Sequence, residues 1–159
     1  MGVRDDEVAR HYPCDDLVPA PVLAAYRAVT VHATPERLWP WVGQIRLGPY
    51  SYDWIDNLGH RSPQERRDLP EPTAGEHFSF AAGRPVGRIL SVAPTVQLTA
   101  TIMGATMSYV LVPEGTTTRL LLKVVTGHGR LVAPLVSVGD LVMARRQLLN
   151  LKRFAEGQR

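Results

Sequence analysis

The spacing of apolar residues changes character along the chain. Tyr26-Arg27-Ala28-Val29-Thr30-Val31-His32 is rich in β-formers and predicts a strand. Thr34-Pro35-Glu36 then offers an N-cap, a first-turn proline and an acid at the positive helix end. Leu38, Trp41, Val42 and Ile45 follow at helical spacing, which predicts a helix over about 35–45, with a kink or break at Pro40. From Glu76 the pattern turns to strands. His77–Phe80 and Val86–Val92 are two, and Val96, Leu98, Ala100 and Ile102 share one face of a third. Met107, Tyr109 and Leu111 alternate in the next. Pro113-Glu114-Gly115-Thr116 reads as a hairpin turn, and Leu120, Leu122 and Val124 alternate after it. Short strands joined by turns predict an antiparallel meander. From Asp140 to Phe154 the period is helical again. Leu141, Ala144, Leu148, Leu151 and Ala155 fall on one stripe, widened by Met143 and Phe154. Arg146, Lys152, Arg153 and Glu156 lie opposite.

Breakers divide the chain. Residues 1–22 carry Tyr12-Pro13 and Pro19-Ala20-Pro21 and read as an irregular arm before a single domain over 23–156. Gly48 and Gly59 bracket a segment in which Ser51 could cap a short second helix. A polar, proline-rich loop runs from Arg61 to about Gly75.

This order is an α+β domain: a strand, a short helix or helix pair, five more strands, and a long amphipathic helix whose apolar face can cover the sheet. Val29-Thr30-Val31-His32-Ala33-Thr34-Pro35-Glu36-Arg37-Leu38-Trp39 resembles the opening of the START / Bet v 1-like (SRPBCC) superfamily, which includes polyketide cyclase and dehydrase proteins. The hairpin from Leu111 through Gly115 to Leu120 is similar to that family's late hairpin, and the long last helix is in its expected place. The resemblance covers about residues 24–156. It implies a helix-grip fold, in which a curved antiparallel sheet of about six or seven strands wraps a long C-terminal helix around a hydrophobic cavity. Some relatives carry lipids, sterols or plant hormones there; others cyclise or dehydrate aromatic polyketides. Fold alone does not choose among these.

Composition narrows the classes. The chain has 159 residues, enough for one domain with a real core. Its 45% hydrophobic and 21% charged residues argue against disorder. One cysteine excludes an internal disulfide and a CxxC zinc site. The N-terminal residues lack an apolar core of the signal-peptide kind, and no apolar run is long enough to span a membrane, so a cytoplasmic location is expected. The net charge of +3 invites a nucleic-acid partner, but the 18 basic residues, only Lys123 and Lys152 being lysine, are scattered and form no stripe. Neither GxGxxG nor a P-loop is present, and no serine sits in a GxSxG elbow. His32, His77 and His128 have no metal-ligand spacing. No cofactor and no metal are expected. Cys14 lies beside Asp15 and Asp16, which would raise its pKa and leave the thiol inactive.

The sharpest cluster is Tyr50, Tyr52, Asp53, Trp54, Asp56 and Asn57. It reads either as a pocket rim, with aromatic walls and carboxylates that orient a ligand or move a proton, or as a capped helix packed on the core. Asp53, Asp56 and Tyr52 are the catalytic candidates, a carboxyl beside Trp54 being raised in pKa by desolvation. Alternation and the helical wheel place the ligand-facing residues. Leu98, Ala100, Met107, Tyr109, Leu111, Leu120 and Leu122 come from the sheet, and Met143, Gln147, Leu148 and Leu151 from the helix; Tyr50 and Trp54 join them from the rim. Gln147, an amide on an apolar stripe, needs a partner, either a ligand or a sheet side chain. Asp140, after Gly139, reads as the helix cap. Val142 and Leu149, on the charged side of the last helix, could serve a homodimer contact. Three functions follow from different classes: binding of a hydrophobic small molecule such as a lipid or polyketide, a cyclase/dehydrase-like enzyme, and an interaction module with a collapsed cavity.

Overall fold

Alternating residues here become hydrogen-bonded strands wherever two-residue turns let the chain reverse. The computed structural model describes residues 2–50, 61–127 and 133–157, the last stretch with side chains from Met143 onward. In chain order the elements are α1 (Asp5–Ala9), α2 (Pro13–Leu17), β1 (Leu23–Val31), α3 (Pro35–Gly43) running into a 3-10 turn (Gln44–Leu47), β2 (Ser79–Ala81), β3 (Arg84–Val86), β4 (Arg88–Ala93), β5 (Gln97–Ile102), β6 (Ala105–Glu114), β7 (Thr117–Thr126) and α4 (Ala133–Gly157). Five strands form one antiparallel sheet in the order β1-β7-β6-β5-β4, and β2 and β3 pair separately. The sheet does not close into a barrel, because its edges β1 and β4 are not paired with each other.

This corrects the expected sheet of six or seven strands. Val86–Val92 is not one strand, because Gly87 breaks it. Gly87 has φ +69°, and a Cβ there would lie 2.4 Å from the Thr101 carbonyl oxygen. Met103-Gly104 turns β5 into β6 with both residues at positive φ, the two-residue geometry whose twist matches its strands. Val96, expected on the buried face, precedes β5 and is 52% exposed.

The first 22 residues are also more regular than expected, containing the one-turn helices α1 and α2. Helix α4 begins seven residues before Asp140, with Pro134 in its first turn, where a missing N–H costs nothing. Asp140 therefore lies inside the helix and does not cap it. Helix α3 continues through Pro40 and tightens only at Gln44.

One face of the sheet packs on α3 and α4. Val29, Leu98, Ala100, Tyr109, Leu111, Leu120 and Leu122 meet Leu38, Trp41, Val42, Leu148 and Leu151 in one buried cluster. Arg119 and Lys123, on the opposite face, are buried too. The arm covers them, and Tyr12 and Cys14 pack on Ala28, Val110, Leu121 and Val125. A strand buried on both sides reads as a nearly continuous apolar run, as Leu120-Leu121-Leu122 does. Among the described residues no helix is long and apolar enough to cross a membrane.

Candidate functional site

The helix-facing side of the sheet is mostly apolar, and a line of polar groups crosses it. Tyr109 projects from β6 and Gln147 from α4, and the phenol donates to Gln147 Oε1 at 2.5 Å. Gln147 Nε2 donates to the Pro49 carbonyl at 2.6 Å, and three residues along the helix Asn150 Nδ2 donates to the Tyr50 carbonyl at 2.8 Å. Residues three apart share a helix face, so this amide pair grips the Pro49–Tyr50 backbone. Tyr50 has φ +53°, unusual for a residue with a side chain. Its N–H donates to Ser62 Oγ at 3.0 Å and its hydroxyl accepts from Gln44 Nε2 at 2.6 Å. Gln44 also receives the Arg67 N–H at 2.7 Å and donates to the Glu65 carbonyl at 2.8 Å, fastening the proline-rich loop to α3's end.

Aromatic rings fill the space around this line. Trp41 stacks on Phe154 at 4.8 Å between centroids and 19° between planes, and Tyr50 meets Phe154 edge-on at 5.9 Å. Phe78 leans on Tyr109 at 6.1 Å. Trp41 is 1% exposed, and its indole Nε1–H has no hydrogen-bond partner among the described residues. A buried donor left unmade costs about 1–3 kcal/mol, so such groups call for an explanation.

The chemistry on offer is hydrogen bonding with little acid–base capacity. Burial pushes the Tyr109 phenol well above its ordinary pKa, partly opposed by the bond to Gln147, so it stays protonated and donates. Glu7 is the single buried carboxylate among the described residues, and it lies on the arm's side of the sheet. The described residues hold no group of three His, Cys, Asp or Glu side chains placed to bind a metal ion. A shallow outward-facing cleft of about 100 Å³ lies between Trp39, Pro40 and the Arg66–Pro72 loop. Two of its polar side chains are partnered: Arg46 bonds Glu76 and the Pro70 carbonyl, and Trp39 Nε1 bonds Glu71.

Solved structures share this architecture. A Mesorhizobium loti protein superimposes with a TM-score of 0.61 at 15% identity, over 86% of this chain and 99% of its own. A Rhodobacter sphaeroides protein does so with 0.60 at 17%, over 89% and 97%. The CalU16 protein of Micromonospora echinospora gives 0.53 at 20%, over 85% and 66%. No family model and no curated protein matches the chain. Likeness at such identity establishes the fold alone.

Most of the residues expected to face a ligand are brought together. Tyr50, Leu98, Ala100, Tyr109, Leu111, Leu120, Leu122, Leu148 and Leu151 belong to the buried cluster, and Met107 packs against it with its sulfur 3.7 Å from the Tyr109 hydroxyl. Met143 is half-buried outside that cluster, and Ala144 packs on it instead. Leu149, expected at a dimer contact, packs partly buried against the core. Tyr52, Asp53, Trp54, Asp56 and Asn57 lie outside the described residues, as does the Val142 side chain. Gln147 took the plainer of its two readings, a bond to a sheet side chain. Trp41, Gln44 and Asn150 are the polar members that the sequence pattern underweighted. The i, i+3 pair of amides on an apolar stripe was the visible signal for Asn150.

Proposed function

We propose that the space between the sheet and α4 takes a hydrophobic small molecule bearing an oxygen acceptor, a lipid or polyketide-like compound, in the manner of the START / Bet v 1-like helix-grip proteins that the sequence resembles. The observation that carries this is the Trp41 indole N–H, buried among aromatic rings with no acceptor among the described residues. A carbonyl or hydroxyl oxygen on an otherwise apolar ligand would satisfy it. Ligand sites combine apolar walls with a few placed polar groups, which describes Trp41, Phe154, Phe78 and the Tyr109–Gln147 pair. Asp53 and Asp56 remain the proton-transfer candidates of the cyclase/dehydrase-like alternative.

A pair of near-isosteres tests the proposal. 2-Acetylnaphthalene and 2-ethylnaphthalene differ in a carbonyl oxygen. The acetyl compound should bind more tightly, by about 3–10-fold for one neutral hydrogen bond. Trp41→Phe should erase that preference while both compounds still bind. Equal affinity in the native protein would remove Trp41 as the ligand's donor. No binding of either, together with no small molecule retained in native mass spectrometry of freshly purified protein, would favour the third reading, a collapsed interaction module. The tight mutual burial of Leu98, Leu120, Leu122, Leu148 and Leu151 supports that third reading.

A further inference from the structure

Of the buried charged side chains among the described residues, Arg46 lies in the turn after α3, and Glu7, Arg119 and Lys123 gather on the sheet face turned away from α4. Arg119 and Lys123 stand four residues apart on β7 and so point the same way. The Arg119 guanidinium grips Glu7 through Nε to Oε1 at 2.5 Å and Nη2 to Oε2 at 3.0 Å, and it also donates to the Gly2 carbonyl and to Thr30 Oγ1. Lys123 pairs with Asp15, its Nζ 5.3 Å and 5.1 Å from the ring centroids of Tyr12 and Tyr26. The Cys14 N–H donates to Ser108 Oγ at 3.0 Å, itself held by Thr99 at 2.7 Å. Arg4 reaches Glu114 at the far end at 2.5 Å. Two cations leave water on one sheet face only where anions meet them. This face is therefore complementary to an acidic, tyrosine-bearing segment, and residues 2–18 supply one.

The hold is in those contacts and hardly in the connection. Pro19, Ala20, Pro21 and Val22 are all exposed, and the short link to β1 contributes one bond to the sheet, from the Val22 N–H to the Thr126 carbonyl at 2.8 Å. Prolines at both ends of Pro19-Ala20-Pro21 favour an extended link over a compact one. We propose that the outer face of this sheet is a docking site for the same segment of a second copy of the chain, and that two chains exchange arms. Each contact made within one chain is then remade between two, in a closed two-fold pair. The tethered arm competes at an effective concentration of about 1 mM, so exchange is a property of concentrated protein.

Isotope mixing tests this on the unmodified chain. Light and nitrogen-15 chains are combined at about 1 mM, acidified so that Glu7 and Asp15 protonate and the arms release, and returned to neutral pH. A carbodiimide then joins Lys123 to Asp15: the amine displaces the activated carboxyl oxygen, an amide forms, and the reagent leaves as its urea with the elements of water. The expected result is mixed-isotope Lys123–Asp15 conjugates approaching half of the total. Conjugates of like with like alone would overturn the proposal. Should acid treatment spoil refolding, a labelled peptide of residues 2–18 is titrated against the native chain and the Glu7→Gln/Asp15→Asn chain, whose own arm is loosened. The peptide should bind the variant at least about tenfold more tightly, the worth of a charged hydrogen bond removed from its competitor. Equal binding to both, or none to either, would overturn it.

Discussion

Gln147 uses both ends of its amide, accepting from Tyr109 and donating to the Pro49 carbonyl, and that double use makes a buried glutamine tolerable. Removing one partner strands another. Tyr109→Phe should cost about 1–2 kcal/mol by leaving Gln147 Oε1 unpaired. Gln147→Leu should cost more, since it orphans both the phenol and the Pro49 carbonyl. The double variant should lose less than the sum by about 1 kcal/mol, because the shared bond is lost once. Urea denaturation of the four proteins measures this, and simple additivity would mean that the two side chains are not coupled. A second residue offers a gain. Met103 is 94% exposed with φ +49°, so it pays for a left-handed backbone without packing in return. Met103→Asn creates Asn-Gly, the pair that this turn favours. It should stabilise by about 0.5–1 kcal/mol and raise the thermal midpoint by about 1–4 °C. A fall would show that the Met103 side chain has contacts that matter in solution.

At the scale of elements, β7 is the spine of the molecule, buried by α4 on one side and by α1 and α2 on the other. The inward face of each strand was legible from alternation, since Leu120 and Leu122 stand inside as the period requires. The cover over Arg119 and Lys123 was not legible, because charged residues alternating with leucines look the same whether they meet water or a carboxylate. The arm's hold depends on pH. Burial alone would raise the Glu7 pKa, but the bonds from Arg119 and the Arg4 N–H, with their charges, outweigh it and hold the carboxyl below its ordinary value. Asp15 is lowered against its own burial by Lys123, the Tyr12 N–H and His11. Glu114 is lowered by Arg4. Groups lowered on folding contribute fully above the ordinary carboxylate range, and that contribution fades as pH falls through the depressed values. Cleavage of the arm by pepsin, which works in acid, should therefore accelerate below about pH 4 while the sheet stays intact. Glu7→Ala should move the onset upward. Its cost is bounded, because once Glu7 is gone Arg119 regains water when the arm lifts, so the loss cannot exceed the arm's docking energy. Simultaneous loss of arm and sheet would show that the arm is an integral layer.

For the molecule as a whole, the problem is an open sheet with two edges. The sequence showed the order of elements and the long last helix. It hid the helix start, since Gly139-Asp140 imitates a cap while Pro134 sits harmlessly in the true first turn. It also hid how the edges are managed, which depends on contacts between segments separated in the chain, at the β1 edge by more than a hundred positions. The β4 edge is met by Gly75 and Glu76, through the Gly75 N–H to the Ile89 carbonyl and the Ile89 N–H to the Glu76 carbonyl, both at 2.8 Å. The β1 edge is pinned by the end of α4. Lys152 donates to the Thr30 carbonyl at 2.8 Å, Glu156 accepts the His32 N–H at 2.7 Å, and the two side chains pair at 2.5 Å. An unpaired edge invites association, and charged side chains laid across it are one remedy. Burial would raise Glu156, but the His32 N–H and Lys152 lower it on balance, so the pin holds above the ordinary carboxylate range and weakens as pH falls through the lowered value. Glu156→Ala should cost about 1–2 kcal/mol and make the His32 amide exchange with solvent much faster, with the central strands unchanged. Glu156→Gln keeps an acceptor for that amide and gives up the pairing with Lys152, so it should retain most of the protection at His32. If both variants lose protection equally, the charge on Lys152 rather than the bond to His32 is what fixes the helix to the sheet edge. If neither does, the end of α4 does not hold β1, and the edge is kept from association by some other feature.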